Sequence, residues 1–216
     1  MTEALPAVGI VGGTGPQGRG LARRLSAGGV DVVLGSRSLD RAQECAAALG
    51  RGVRAASNEQ CVREADVVVL AVPWAGHRDT VDALASELTG KILVDCVNPL
   101  GFDAQGAFPL PVEEGSAAQQ AQALAPGATV VGAFHHLSAV RLLDEEVASV
   151  DSDILVLGDD RSATDLVQAI AARIEGCRGI YAGRLRNTGQ VEALTANLIA
   201  VNRRYKAHAG VRITDV

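Results

Sequence analysis

No segment of this chain is long and apolar enough to span a membrane: the longest purely aliphatic run, Val67 to Val72, is about a third of the ~20 residues a bilayer requires. The opening residues, Met1 to Ala7, carry neither a basic region nor a long apolar one, so no export signal is read there and a cytoplasmic protein is expected. Cysteine is sparse and dispersed. Cys45, Cys61, Cys96 and Cys177 form no C-x-x-C pair and have no histidine at ligand spacing, which excludes a zinc or redox motif and leaves four small core or near-core residues. There is no G-x-S-x-G, no paired Cys and His and no metal signature, so no catalytic acid, base or metal ligand is assigned. Positive charge is also in deficit. A net charge of −5 argues against non-specific nucleic-acid binding. From Arg173 to Lys206, however, seven basic residues face only two acidic ones. Such a section suits an anionic ligand or a solvated basic face equally well.

What is present is the composition of an ordinary folded protein. With 48% hydrophobic and 21% charged residues in 216, the chain is long enough to bury a full core with a smaller appendage. Apolar runs alternate with helix-like segments in the rhythm of βαβ units: Ala7 to Val11, Arg19 to Ser26, Val30 to Leu34 and Asp40 to Leu49. The rhythm continues through Ala65 to Val72, Arg78 to Leu88, Lys91 to Val97 and Thr129 to Phe134, whose continuous Val/Ile/Leu character suits strands covered on both faces. A Rossmann-type, doubly wound, mostly parallel α/β sheet is expected over residues 1–144. Between Pro99 and Pro126 a proline- and glycine-bearing stretch reads as an irregular loop leading into a helix. Residues 145–216 read as a smaller C-terminal α/β extension, with a strand at Ile154 to Leu157, a helix at Ala163 to Ile174, a short strand around Gly179 to Ala182 and a last helix from about Gly189 to Tyr205. In that helix Val191, Leu194, Leu198, Val201 and Tyr205 form one apolar stripe, which packing on the main domain or on a second subunit would explain.

Gly13-Thr14-Gly15-Pro16-Gln17-Gly18 is a G-x-G-x-x-G that follows the first strand and opens a helix, the context in which this motif signals a dinucleotide. The first glycine is expected to permit the tight turn, the second to let the backbone approach a pyrophosphate, and the third to allow close packing of helix on sheet. After the second strand, where an NAD site places an acidic residue against the ribose 2′-OH, this chain has Gly35-Ser36-Arg37 with Arg41 four residues on. A hydroxyl and two guanidiniums suit a 2′-phosphate, so NADP(H) is expected rather than NAD(H). The alternative is that Arg37 and Arg41 are simply solvated. Trp74 is either packing or a ring contact, and His135 or His136 either structural or a ligand. Adjacent strand residues face opposite ways, so at most one of the two histidines is expected to face a site.

Gly12-Gly13-Thr14-Gly15-Pro16-Gln17-Gly18, Gly35-Ser36-Arg37, Ala71-Val72-Pro73-Trp74, Asp95-Cys96-Val97-Asn98-Pro99, Ala133-Phe134-His135-His136 and Gly183-Arg184-Leu185-Arg186-Asn187 together resemble the NADPH-dependent reductases of the deazaflavin coenzyme F420, most closely their actinobacterial members. The resemblance implies a homodimer in which NADP(H) and coenzyme F420 lie face to face and exchange a hydride. It implies that Thr14 to Gln17, Ser36, Arg37 and Arg41 hold NADP(H), and that Val72, Pro73 and Trp74 border the nicotinamide. The segments around Asn98, His135 to Ala139 and the tail near Ala209 would frame the deazaflavin. Arg184, Arg186, Arg203, Arg204 or Lys206 could attract its phosphate and glutamate tail. Because a dinucleotide site does not determine the second substrate, an NADPH-dependent reductase of a small imine or carbonyl stays open, as does a non-catalytic NADP(H)-sensing regulator.

Overall fold

The computed structural model describes residues 5–216. Its elements alternate as β1 (Val8–Val11), α1 (Pro16–Ala27), β2 (Val32–Ser36), α2 (Leu39–Leu49), β3 (Arg54–Ser57), α3 (Asn58–Glu64), β4 (Val67–Leu70), α4 (His77–Leu84) and β5 (Ile92–Asp95). A hairpin of β6 (Leu100–Asp103) and β7 (Gly106–Pro109) precedes α5 (Ala117–Leu124), β8 (Thr129–Gly132) and α6 (Ala139–Leu143). The chain closes with β9 (Ser152–Gly158), α7 (Arg161–Ala171), β10 (Cys177–Gly183) and α8 (Thr188–Tyr205).

Eight strands form one sheet in the order β10-β9-β8-β5-β4-β1-β2-β3. The run from β3 to β8 is parallel, β9 is antiparallel to β8, and β10 is parallel to β9. This is a Rossmann-type α/β fold, with the C-terminal segment adding its two strands to one edge. Side chains alternate between the two faces: Val8, Ile10, Val32, Leu34, Val67 and Val69 enter one core cluster, while Val11, Val33, Val68 and Leu70 enter the other. Both faces are covered, which is why these strands read as continuous apolar runs. The strand order reverses between β1 and β4, so a crevice opens there at the carboxyl ends of the strands.

Two departures from the sequence reading have physical causes. The stretch read as an irregular loop contains the hairpin β6–β7, closed by Asp103 Oδ1 accepting from the N–H groups of Gln105 and Gly106. Ser116 then caps α5 by accepting from the Gln119 N–H. Edge strand β3 and helix α3 were not expected, because an edge strand that is largely uncovered lacks the aliphatic run that marked the others.

Two clamps hold the segments around the crevice. The buried Arg24 guanidinium of α1 donates to the carbonyls of Arg141, Leu142, Asp144 and Val147 at 2.7–2.9 Å, fixing α6 and the loop after it. The buried Asp153 carboxylate receives Arg178, Arg212 and the Ile213 N–H, pinning the C-terminal tail beside β9. The Arg178 hydrogen bonds, outweighing burial and helped by Ile213 and Arg212, hold the Asp153 carboxyl far below the usual carboxylate range. Among the described residues no helix is long and apolar enough to cross a membrane.

Candidate functional site

β1 delivers the chain into a turn at Gly12 and then into α1, which starts at Pro16 with no side-chain cap on its first N–H groups. The left-handed residue of that turn is Gly12, at φ +73°, rather than the first glycine of the G-x-G-x-x-G. Gly13 serves packing instead, since a Cβ there would lie 2.6 Å from the Leu34 side chain of β2. A Cβ on Gly18 would lie 2.6 Å from Gly13 Cα, so this glycine lets the helix sit on the turn. Gly15 differs. A Cβ on it would meet nothing nearer than 3.5 Å, so its bare backbone opens onto the crevice beside an uncapped helix N-terminus. This cradle fits a pyrophosphate.

At the neighbouring strand end Ser36 is buried, with its Oγ accepting from the Ser38 N–H at 3.2 Å. Arg37 and Arg41 are exposed, and among the described residues neither is paired with a carboxylate. A cavity of about 830 Å³ runs from Thr14 and Gly15 past Ser36, Arg37 and Arg41 to Val72 and Pro73. Asn58 and Thr80, which sequence reasoning missed, also line it. A second cavity of about 410 Å³ lies beyond Val72 and Pro73 and shares Gly15 with the first. Its lining includes Pro16, Gln17, Trp74, Asn98, His135 and Thr195. The two form one cleft across the carboxyl ends of β1, β4 and β5. It is free cationic at one end and largely apolar at the other.

The apolar end contains orphaned polar atoms. His135 is 3% exposed, and among the described residues both of its ring nitrogens lack a hydrogen-bond partner. Asn98 Nδ2 donates to the His135 carbonyl at 2.8 Å, while the Asn98 Oδ1 is buried and unpartnered. Buried polar groups are normally satisfied, so a ring with hydrogen-bonding edges fits this place. Burial pulls the His135 pKa down to about 4, the Asp95 charge offsetting it only partly, which leaves a neutral imidazole able to donate and accept. His135 reaches the cleft because Phe134, fully buried at φ +65°, turns the backbone sharply after β8, with its carbonyl accepting from Gln17 Nε2 at 3.3 Å. His136 points away, Nε2 lying 2.6 Å from the Asp153 carbonyl. The two histidines do diverge as expected, but because of the Phe134 turn and not of strand pleat, since β8 ends at Gly132.

Beneath the cleft lies a polar cluster that sequence reasoning also missed. His77 and Asp95 are wholly buried, with His77 Nε2 2.7 Å from Asp95 Oδ2 and His77 Nδ1 3.0 Å from Gln120 Oε1. Glu192 of α8 accepts from the Ala117 and Ala118 N–H groups at the start of α5. Burial, reinforced by the Asp95 charge and opposed by those two N–H groups, pushes the Glu192 carboxyl up to about 7. The available signal was Asp95, a lone charge ending an otherwise apolar central strand.

Thr14, Gly15, Pro16, Gln17, Ser36, Arg37, Arg41, Val72, Pro73, Trp74, Asn98 and His135 thus converge on one cleft. Gly13 and Gly18 line neither cavity and instead allow the turn and α1 to pack closely behind it. Ala139 and Ala209 line neither cavity, although Ser138 Oγ lies 3.4 Å from His208 Nδ1, so their two segments meet. Arg184, Arg186, Arg203, Arg204 and Lys206 do not line the cleft either. All four cysteines are free, Cys45 partly buried and the others buried, as expected. Among the described residues no group of His, Cys, Asp and Glu is arranged to hold a metal ion.

Comparison with known proteins gives consistent results. Residues 7–99 match the family model of coenzyme F420-dependent NADP oxidoreductases. The F420-dependent NADP reductase of Methanothermobacter marburgensis is 34% identical over 221 residues, covering 97% of this chain and 98% of the relative. That of Methanocaldococcus jannaschii is 36% identical over 222 residues with the same coverage. Among solved structures, one from Arthrobacter sp. FB24, provisionally assigned as an F420-dependent NADP reductase, superposes with a TM-score of 0.83 at 25% identity, covering 97% of this chain and 99% of that one. A pyrroline-5-carboxylate reductase from Coxiella burnetii shares the fold alone, with a TM-score of 0.65 at 17% identity over 94% of this chain and 68% of that one.

Proposed function

The chain belongs to the coenzyme F420-dependent NADP oxidoreductase family, and we propose that it transfers a hydride reversibly between NADP(H) and coenzyme F420 within the cleft just described. It is an NADP(H)- and F420-dependent oxidoreductase. The observation that carries the finer reading is the single cleft joining two guanidiniums to a buried neutral histidine, all three without partners among the described residues. When bound, the two coenzymes supply the hydride donor and acceptor themselves, so the protein's part is to hold them close and aligned and to exclude water.

In this reading the backbone of residues 14–17 and the first turn of α1 bind the pyrophosphate, and Gly15 leaves room for it. Ser36, Arg37 and Arg41 bind the 2′-phosphate. Val72, Pro73 and Trp74 form one lip against the nicotinamide, and Asn98 with His135 presents hydrogen-bonding atoms to the deazaflavin. The segments bearing Ala139 and Ala209 close the outer side. Residues 145–216 act as a smaller unit that completes the deazaflavin site and contributes to a homodimer. Exposed Phe102, Phe108, Val201 and Tyr205 supply apolar surface for that contact. Membership of the actinobacterial branch and a cytoplasmic location complete the proposal.

Mixing purified protein with NADPH and oxidised coenzyme F420 and following the loss of the deazaflavin's visible absorbance tests this. Rapid bleaching with NADPH and little with NADH is expected. No bleaching by a protein that still binds NADPH would overturn the choice of second substrate.

A further inference from the structure

We propose that His77 is a positioning residue for this reaction: buried beneath the cleft, it sets the spacing of Trp74 on one side and of the 96–98 turn on the other. The inference rests on the reading that NADP(H) and the deazaflavin meet in that cleft.

His77 opens α4 and is 0% exposed. Its two hydrogen-bond partners both present oxygens to the ring. Gln120 Nε2 donates to Glu114 Oε2 at 3.0 Å, so the amide oxygen is the atom turned toward His77, and that oxygen can only accept. Asp95 Oδ2, at 2.7 Å from the other ring nitrogen, is likewise an acceptor, while Asp95 Oδ1 receives the Val97 N–H at 2.9 Å. Each ring nitrogen thus faces an acceptor, the arrangement that suits the doubly protonated ring. The charged groups around it are Asp95 of β5, Glu192 of α8 and, through Gln120, Glu114, which pairs at the surface with Arg78 of α4. Burial opposes the charge, but the Asp95 hydrogen bond and Coulombic attraction, with Gln120 and Glu192, outweigh it and raise the His77 pKa.

The ring meets one lip directly and the other through Asp95. Its centroid is 5.3 Å from that of Trp74, with the planes 37° apart. Through Asp95 it holds the Val97 N–H, and the next residue, Asn98, holds the His135 carbonyl. One buried cation thus links the nicotinamide lip, the exit of β5 and the turn that presents His135. Hydride transfer needs the reacting atoms at near-contact distance, so relaxing this link by an ångström would slow the chemical step while leaving the remote phosphate contacts intact.

The test uses His77→Gln and Asp95→Asn in the full chain. For His77→Gln we expect a fall in kcat of roughly ten- to hundredfold with the KM for NADPH within about threefold, the split expected when orientation and not anchoring is lost. Trp74 is the only tryptophan. A cationic imidazolium quenches indole emission, so emission should rise in His77→Gln without any substrate present. Asp95→Asn should slow kcat in the same way, and ¹⁵N NMR of the unaltered protein at pH 6 should show both His77 ring nitrogens protonated. Unchanged kcat and emission in folded His77→Gln would overturn the proposal while the NADPH–F420 activity stood. Should that variant not fold, a single ring N–H at pH 6, or full kcat in Asp95→Asn, would overturn it. Absence of F420 turnover by the unaltered protein would instead overturn the reaction and, with it, this role.

Discussion

Replacing Arg37 by alanine separates the two ends of the cleft. Arg37 and Arg41 sit at the exit of β2 and the first turn of α2, exposed and without carboxylate partners among the described residues, beside the buried Ser36 hydroxyl. A charge-assisted hydrogen bond to phosphate contributes about 1.5–3 kcal/mol when shielded. Solvent screening at an exposed site reduces this to about 1–2 kcal/mol. Arg37→Ala should therefore raise the KM for NADPH roughly five- to thirtyfold, leave that for NADH nearly unchanged, and leave saturating kcat close to its original value. Because both guanidiniums would share one phosphate, adding Arg41→Ala should cost less than the sum of the single changes. The assay is initial-rate kinetics with each nicotinamide nucleotide at fixed ionic strength, and the NADPH preference should shrink as salt is raised. Equal effects on NADPH and NADH would refute the assignment of these arginines to the 2′-phosphate.

Other outcomes follow from the same geometry. Gly15→Ala should retain the melting temperature, since its Cβ meets nothing nearer than 3.5 Å, yet lose NADPH affinity, whereas Gly18→Ala should destabilise by about 1–3 kcal/mol because its Cβ meets Gly13 backbone at 2.6 Å; calorimetry and nucleotide titration distinguish them. Arg24→Met leaves four carbonyls without their donor and should cost about 2–4 kcal/mol, a fall in Tm on the order of 10 °C. The Glu192 carboxyl, raised from 4.5 to about 7, favours the folded state below pH 4.5, and this contribution is lost as pH rises through 7. Glu192→Gln should therefore gain on the unaltered protein by up to about 3 kcal/mol between pH 5 and pH 8 in urea melts. His135, lowered from 6.5 to about 4, contributes stability present above 6.5 and lost as pH falls toward 4, so His135→Asn should compare best with the unaltered protein at acid pH.

The parts of the fold legible in the sequence were those set by local chemistry. Strands covered on both faces must be apolar throughout, so β1, β4, β5 and β8 stand out, as does the glycine turn between β1 and α1. Which glycine carries the turn was not legible: only the backbone shows that Gly12 takes the positive φ, while Gly13 makes room for Leu34. The hairpin β6–β7 was hidden because its strands are short and pack partly on α8 instead of entering the sheet. In α8 the apolar stripe divides, with Val191 buried against Leu155 and Leu157 and Val201 and Tyr205 exposed, a split that spacing cannot reveal. The cluster of His77, Asp95, Gln120 and Glu192 draws on four separate elements, so no local pattern announces it. Ser36 and Arg37, singled out because no acidic residue follows β2, do line the larger cavity, and their role toward a 2′-phosphate is part of the proposal.

The most direct test of the account is the fate of a labelled hydride. With NADPH deuterated stereospecifically at its transferable carbon, oxidised coenzyme F420 and this protein in ordinary water, mass spectrometry of the products reads where the label goes. Direct transfer in the cleft predicts that one diastereomer passes its deuterium to the reduced deazaflavin essentially completely, and the other retains it on NADP⁺. Label lost to solvent, or equal transfer from both diastereomers, would contradict a site that holds the two coenzymes in one fixed alignment.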